Sequence, residues 1–278
     1  MTSMRCCRRK SPKWRKGSAF IKRGWTCSVW WRWPVLAGAF IALGSMFATT
    51  VLAGADGVIP FGVSRLLAGI VFGLGLILVV LGGAELFTGN NLMVMAWAAG
   101  KLPLRDMLRA WAIVYIGNFI GAVGTALLVF LSGQYLAGRG EVAAVALKIA
   151  SDKTALPFGH ALFLGILCNV LVCLAVWLSL GARTTTGKVL AVLFPVSAFV
   201  AAGFEHSVAN MYFIPLGLFM KAWGPAEMWT EIGNSASAYA GLTWPAFFLS
   251  LIPVTIGNII GGGALVGGVY WFIYLRKR

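Results

Sequence analysis

Between Leu66 and Gly100 the chain runs 35 residues with one ionisable side chain, Glu85, and between Val189 and Met220 it runs 32 with only Glu205 and His206. Neither length suits a bilayer. As continuous helices they would be about 50 Å long at 1.5 Å per residue, against a hydrocarbon core of about 30 Å. Two full helices and a turn would need more than about 40 residues. What remains is a single crossing broken near its middle. The breaks are expected at the glycines and carboxylates, Gly82 to Asn91 in one stretch and Gly203 to Asn210 in the other. Backbone that leaves the helix at that depth is tolerated only where it is buried in protein or lines a cavity. Two breaks therefore imply a pore or a substrate site.

Four further stretches fit one crossing each: Trp33 to Ala55, Ala110 to Gly138, Thr154 to Ala182 and Trp244 to Leu275. The expected fold is all-α and integral to the membrane, with six transmembrane helices over residues 34–278. Composition agrees, with 59% hydrophobic residues, 11% charged residues and a mean hydropathy of +0.85. The formal charge of +15 is concentrated in residues 1–33, where ten of the 23 Lys and Arg lie without an acid. A juxtamembrane basic segment marks the cytoplasmic side and meets anionic lipid, so no nucleic-acid partner is expected. With six crossings both termini share one side, which holds 18 Lys and Arg against five and is therefore cytoplasmic. Because the internal loops are tied at five each, that orientation rests on the basic ends. Five cysteines, two of them within one span, suggest neither a disulfide framework nor a metal site. Residues 1–33 also lack the apolar core and small-residue cleavage site of a signal peptide.

The two breaks match. Gly83-x-Glu85 is followed by Asn90, and Gly203-x-Glu205 by Asn210, at the same spacing. Downstream, Ile116-Gly117-Asn118-Phe119-Ile120-Gly121 resembles Ile256-Gly257-Asn258-Ile259-Ile260-Gly261. An internal duplication with three spans per half follows, and an odd number of spans inverts the second half. Matched broken helices in inverted repeats point to a transport site at the bilayer midplane. The Gly-x-x-x-Gly pairs themselves read as close helix packing.

His206 is the one side chain at the midplane that titrates near neutral pH, and ionisable groups there are costly and functional. Neighbours on a helix point about 100° apart, so Glu205 and His206 serve different tasks. His206 is assigned to the pore; Glu205, Glu85, Asn90 and Asn210 are assigned to support of the broken backbone. Thr88, Asn90, Asn91, Asn169 and Asn210 can offer donors near the breaks, and open amides at half-helix N-termini favour an anion. Phe72, Leu76, Phe87 and Phe199 lie at similar depth and could form apolar constrictions. Enzyme readings fail, since there is no His-Glu-x-x-His, no Gly-x-Ser-x-Gly and only two histidines. No cofactor is expected. A neutral-solute channel is the alternative of another class, although the paired Asn-Pro-Ala signature and twin pore histidines are absent.

At these residues the chain resembles the formate/nitrite transporter family. The resemblance lies in Ala84-Glu85-Leu86-Phe87-Thr88-Gly89-Asn90, Gly165 to Trp177, Gly203 to Met211 and Ile252 to Asn258, in the family's order. It implies an aquaporin-like arrangement of tilted helices, a homopentamer in the bacterial inner membrane, and a path through each protomer for small monovalent anions. Formate is the expected anion, with nitrite or hydrosulfide as rivals. The family's central histidine falls on His206, its pore asparagine on Asn169 and its loop threonine on Thr88. Its constrictions fall on Leu76, Leu86 and Phe87 on the cytoplasmic side and on Phe72 and Phe199 on the outer side. Its vestibule lysine falls on Lys153, where an exposed cation would concentrate anions. The acid-free N-terminal segment departs from the family's mixed-charge helix.

Overall fold

The structure is a computed structural model that describes residues 32–276, so the basic segment, except Arg32 and Trp33, lies outside the described residues. The elements run α1 (Arg32–Leu52), α2 (Phe61–Gly82), α3 (Phe87–Asn90), a 3-10 turn (Asn91–Met93) and α4 (Val94–Ala98). They continue through α5 (Leu104–Leu131), α6 (Glu141–Ala155), α7 (Phe158–Gly181), α8 (Thr185–Ala201), α9 (Ser207–Trp223), α10 (Ala226–Glu231) and α11 (Trp244–Ile259). The last helix goes on as π-helical turns over Ile260–Gly268 and Trp271–Leu275. Five stretches, Arg32–Leu52, Phe61–Gly82, Leu104–Leu131, Phe158–Gly181 and Ala236–Leu275, are long and apolar enough to cross a membrane. The 17 residues of α8 are too few alone, and α9 follows directly after its break.

Prolines set several of the starts. Pro60, Pro103, Pro157 and Pro225 stand at the N-caps of α2, α5, α7 and α10, where a fixed φ suits the entering chain and no N–H is needed. Helix packing is set by small residues. Helix α1 lies on α2 and α5, and α7 on α8 and α11. In the first group Gly117 abuts Pro34 and Gly121 the backbone of Val35; in the second Gly257 abuts the carbonyl of Leu162 and Gly261 that of Ile166. A Cβ at any of the four would overlap its neighbour, so glycine is what allows the backbones to touch. Outward faces carry Leu36, Phe47, Leu128, Phe163, Phe194 and Phe272, all exposed, as expected of surfaces that meet lipid or further copies.

Both breaks fall within the expected windows. Gly83 (φ 70°) ends α2 and Gly203 (φ 74°) follows α8, each in the left-handed region that glycine enters freely. The amide of Ala84 then bonds back to Val79 O at 3.0 Å, and that of Phe204 to Phe199 O at 3.0 Å, the same six-residue closure at both ends. Other boundaries differ from the reading by composition. Helix α2 begins at Phe61 rather than Leu66 and α5 at Leu104 rather than Ala110, because first turns bearing Arg65, Arg105, Asp106 and Arg109 are helical but not apolar. Helix α6 is not anticipated by the reading of composition, and Lys153, expected just before the fourth span, lies in its last turn.

Candidate functional site

Each break is held by one asparagine from a distant helix. Asn118 on α5 accepts the Phe87 N–H at 2.9 Å and donates to Glu85 O at 2.9 Å and Pro34 O at 2.7 Å. Asn258 on α11 accepts the Ser207 N–H at 2.9 Å and donates to Glu205 O at 3.0 Å and Gly165 O at 2.8 Å. The carboxylates complete the pattern: Asn90 Nδ2 donates to Glu85 Oε2 at 3.0 Å, and Asn210 Nδ2 to Glu205 Oε2 at 2.7 Å. The amide of Glu85 reaches Trp33 O and that of Glu205 reaches Leu164 O. Unwinding a buried helix orphans backbone groups, and these side chains take up the groups that the break releases. Asn118 and Asn258 were visible in the repeated Gly-Asn strings, but likeness between strings reports no contact.

Between the breaks lies one polar cluster. His206, 3% exposed, is the N-cap of α9, and its Nδ1 accepts the Ala209 N–H at 3.1 Å. Its Nε2 lies 3.0 Å from Thr88 Oγ1. With Nδ1 used as an acceptor, the neutral ring carries its hydrogen on Nε2, so Nε2–H donates to Thr88 and leaves the threonine hydroxyl hydrogen free to point elsewhere. The carbonyl of Thr88 is fixed by three donors, Asn91 Nδ2, Asn169 Nδ2 and Cys173 Sγ, each at 3.3 Å. Asn169 Nδ2 also donates to Asn258 O at 2.6 Å, joining the threonine of one break to the brace of the other.

A cavity of about 180 Å³ reaches His206 of this cluster. Its apolar wall includes Phe72 and Phe199, edge to face with centroids 5.6 Å apart, and Phe199 stacks on the His206 ring at 6.1 Å. Its charged lining is Arg65, Asp152, Lys153 and Glu205. Leu76, Leu86 and Phe87 are buried but do not line this cavity. Phe87 packs edge-on against Tyr115 and Trp111 of α5.

Two expectations are corrected. Lys153 is not an exposed cation: its side chain is 16% exposed, and its Nζ pairs with Glu205 Oε1 at 2.7 Å. The reason is that α6 continues through it and points it at the second break, 52 residues away in sequence. Nor do all the donors at the breaks stand open to an anion. The amides of Phe87, Ser207 and Ala209 already bond to Asn118, Asn258 and His206. The side-chain amides of Asn90, Asn91, Asn169 and Asn210 are likewise engaged within the protein. Of the polar cluster, His206 alone lines the cavity, with Thr88 bonded behind it. Arg65, counted only as a loop charge in the sequence, was missed as part of the cavity wall.

A profile of the formate/nitrite transporter family matches residues 26–272. The chain is 45% identical over 245 residues to the formate channel FocA of Escherichia coli (strain K12), covering 88% of this chain and 86% of that one. It is 38% identical over 258 residues to a probable formate transporter of Methanothermobacter thermautotrophicus, covering 87% of each. Among solved structures it superposes on a pentameric formate channel with formate bound, with a TM-score of 0.85 and 40% identity over 90% of this chain and 98% of that one. An FNT family ion channel gives a TM-score of 0.75 at 31% identity, over 88% and 90%. The chain belongs to the formate/nitrite transporter family.

Proposed function

We propose that the protein is a formate channel of the bacterial inner membrane, a homopentamer with one anion path in each protomer. The observation that carries the reading is His206, which lines a cavity walled by Phe72 and Phe199 and is hydrogen-bonded to Thr88. A small anion stripped of water by the aromatic pair meets the imidazole there, and when the contact between His206 and Thr88 opens, the Nε2–H and the hydroxyl replace part of its hydration. Asn169 and Cys173 hold Thr88 in that place. Leu76, Leu86 and Phe87 form the constriction on the cytoplasmic side, and Phe72 and Phe199 the outer one.

His206 acts as a hydrogen-bond donor rather than a proton donor in this reading. Loading Nδ1 with a proton would set it against the Ala209 N–H and break the cap of α9. The paired asparagine braces support an inverted repeat of three crossings each, six in all, with both termini cytoplasmic. Formate is preferred over nitrite and hydrosulfide because the relatives described above are named for it.

Proteoliposome flux tests the proposal. Wild-type vesicles are expected to take up formate, with weaker uptake of nitrite, hydrosulfide and acetate, and His206→Phe is expected to abolish it. Passage of ammonia without any anion would establish the neutral-solute reading instead. Unchanged formate flux and pH dependence in His206→Phe would remove the histidine from the mechanism.

A further inference from the structure

We propose that Arg65, rather than Lys153, supplies the charge that draws anions into the cavity; the inference rests on the anion-channel reading above. The cavity is lined by two cations and two carboxylates, and geometry pairs off all but one. Lys153 is committed to Glu205 at 2.7 Å and also lies over the Phe213 ring, 5.6 Å from its centroid. Asp152 is committed to Lys148 at 2.8 Å. Arg65 forms no ion pair among the described residues. Its Nη2 donates to Val200 O at 2.7 Å, and its Nε lies 3.4 Å from Ala201 O.

Those carbonyls lie in the last turn of α8 just before the break, where Val200 O also accepts the Gly203 N–H at 3.1 Å. They hold the guanidinium still without cancelling its charge. A close ion pair presents a dipole whose field fades quickly, whereas a unit charge bonded to neutral groups keeps its full reach. A guanidinium also stays charged at every working pH. Arg65 reaches from α2 across to the end of α8, so one residue both ties the two halves together and leaves a net positive charge in the cavity wall. A charged cleft of this kind raises the local concentration of the opposite ion.

The test is formate uptake into proteoliposomes at sub-saturating and saturating formate, across a range of ionic strength. Wild-type uptake at low formate is expected to fall as salt rises, because salt screens the attraction. Arg65→Gln is expected to lower uptake at low formate and low salt about fivefold, for one charge roughly 8 Å from the anion at an effective dielectric constant of about 40. It should also flatten the salt dependence and leave the rate at saturating formate near wild type. Arg65→Lys should restore the salt dependence, although its single ammonium cannot reproduce the two-pronged contact, which separates charge from support. Asp152→Asn releases the exposed Lys148 from its partner and should raise uptake at low formate. Wild-type salt dependence in Arg65→Gln, or reduced uptake in Asp152→Asn, would overturn the proposal, and the second arm decides if the arginine variant does not assemble. Failure of the channel reading looks different, since wild-type vesicles would then carry no formate at any salt.

Discussion

Replacing Asn258 with alanine removes an acceptor and two donors at once, and the structure sets the size of the loss. The Ser207 N–H and the Glu205 carbonyl lose their asparagine partner in a region where water cannot replace it. Gly165 O is less affected, because it keeps its place in the ladder of α7. Each orphaned buried group costs about 1–3 kcal/mol. Side-chain hydrogen bonds measured inside membranes fall at the low end, so the total is about 2–4 kcal/mol. Asn118→Ala should cost the same within about 1 kcal/mol, since it orphans the matching Phe87 N–H and Glu85 O. In detergent, each variant should lower the thermal midpoint by on the order of 5–10 °C. Asn258→Asp, which keeps only the acceptor, should fall between alanine and wild type. A midpoint unchanged in either alanine variant would mean that the broken backbone stands without its brace, and the argument from paired asparagines would be lost.

Lys153→Met leaves a nearly buried carboxylate without its countercharge and should destabilise the protein by about 3–5 kcal/mol; adding Glu205→Gln should recover most of that loss. Both are read by thermal denaturation, and a lack of recovery in the double variant would show that Lys153 acts through something other than Glu205. Gly83→Ala isolates the backbone cost of the left-handed turn, about 1–2 kcal/mol, because nothing lies within 4 Å of the added methyl. Gly203→Ala should cost somewhat more, since its methyl would sit 3.4 Å from Arg65 Nη2; equal or smaller loss there would indicate that the guanidinium yields freely.

The breaks were legible because their cause is local. A glycine before a carboxylate in an over-long apolar run is a contradiction within some ten residues, and the chain resolves it at Gly83 and Gly203. The cluster was legible in its members but not in its bonding. Thr88, Asn169 and His206 were each singled out, yet nothing along the chain says that Asn169 spends both hydrogens on Thr88 O and Asn258 O. Lys153 was misjudged for the same reason, its partner being set by how α6 lies against the second break. Helix α6 itself was invisible to hydropathy: Glu141, Lys148, Ser151, Asp152 and Lys153 read as a loop to any scale that scores apolarity rather than period. Arg65 escaped notice because a charge near a helix start ordinarily snorkels to water, and only the end of α8 shows that it turns inward.

Aligning the two breaks on their glycines puts Leu86 opposite His206, each the extended residue at the start of the second half-helix. Aligning the helices that the braces touch, through Pro34 and Gly165, puts Gly38 opposite Asn169. Gly38 lies hard against the carbonyl of Asn118 with no side chain, whereas Asn169 hydrogen-bonds the carbonyl of Asn258. The two breaks thus share their backbone braces and differ in what stands at the equivalent positions, Leu86 and Gly38 at one, the imidazole of His206 and the amide of Asn169 at the other. On the reading proposed above, symmetry is kept where the backbone must be held and given up where a solute must be told from its competitors. Exchanging side chains between equivalent positions, Leu86 for histidine or His206 for leucine, should therefore alter what passes far more than whether the protein folds.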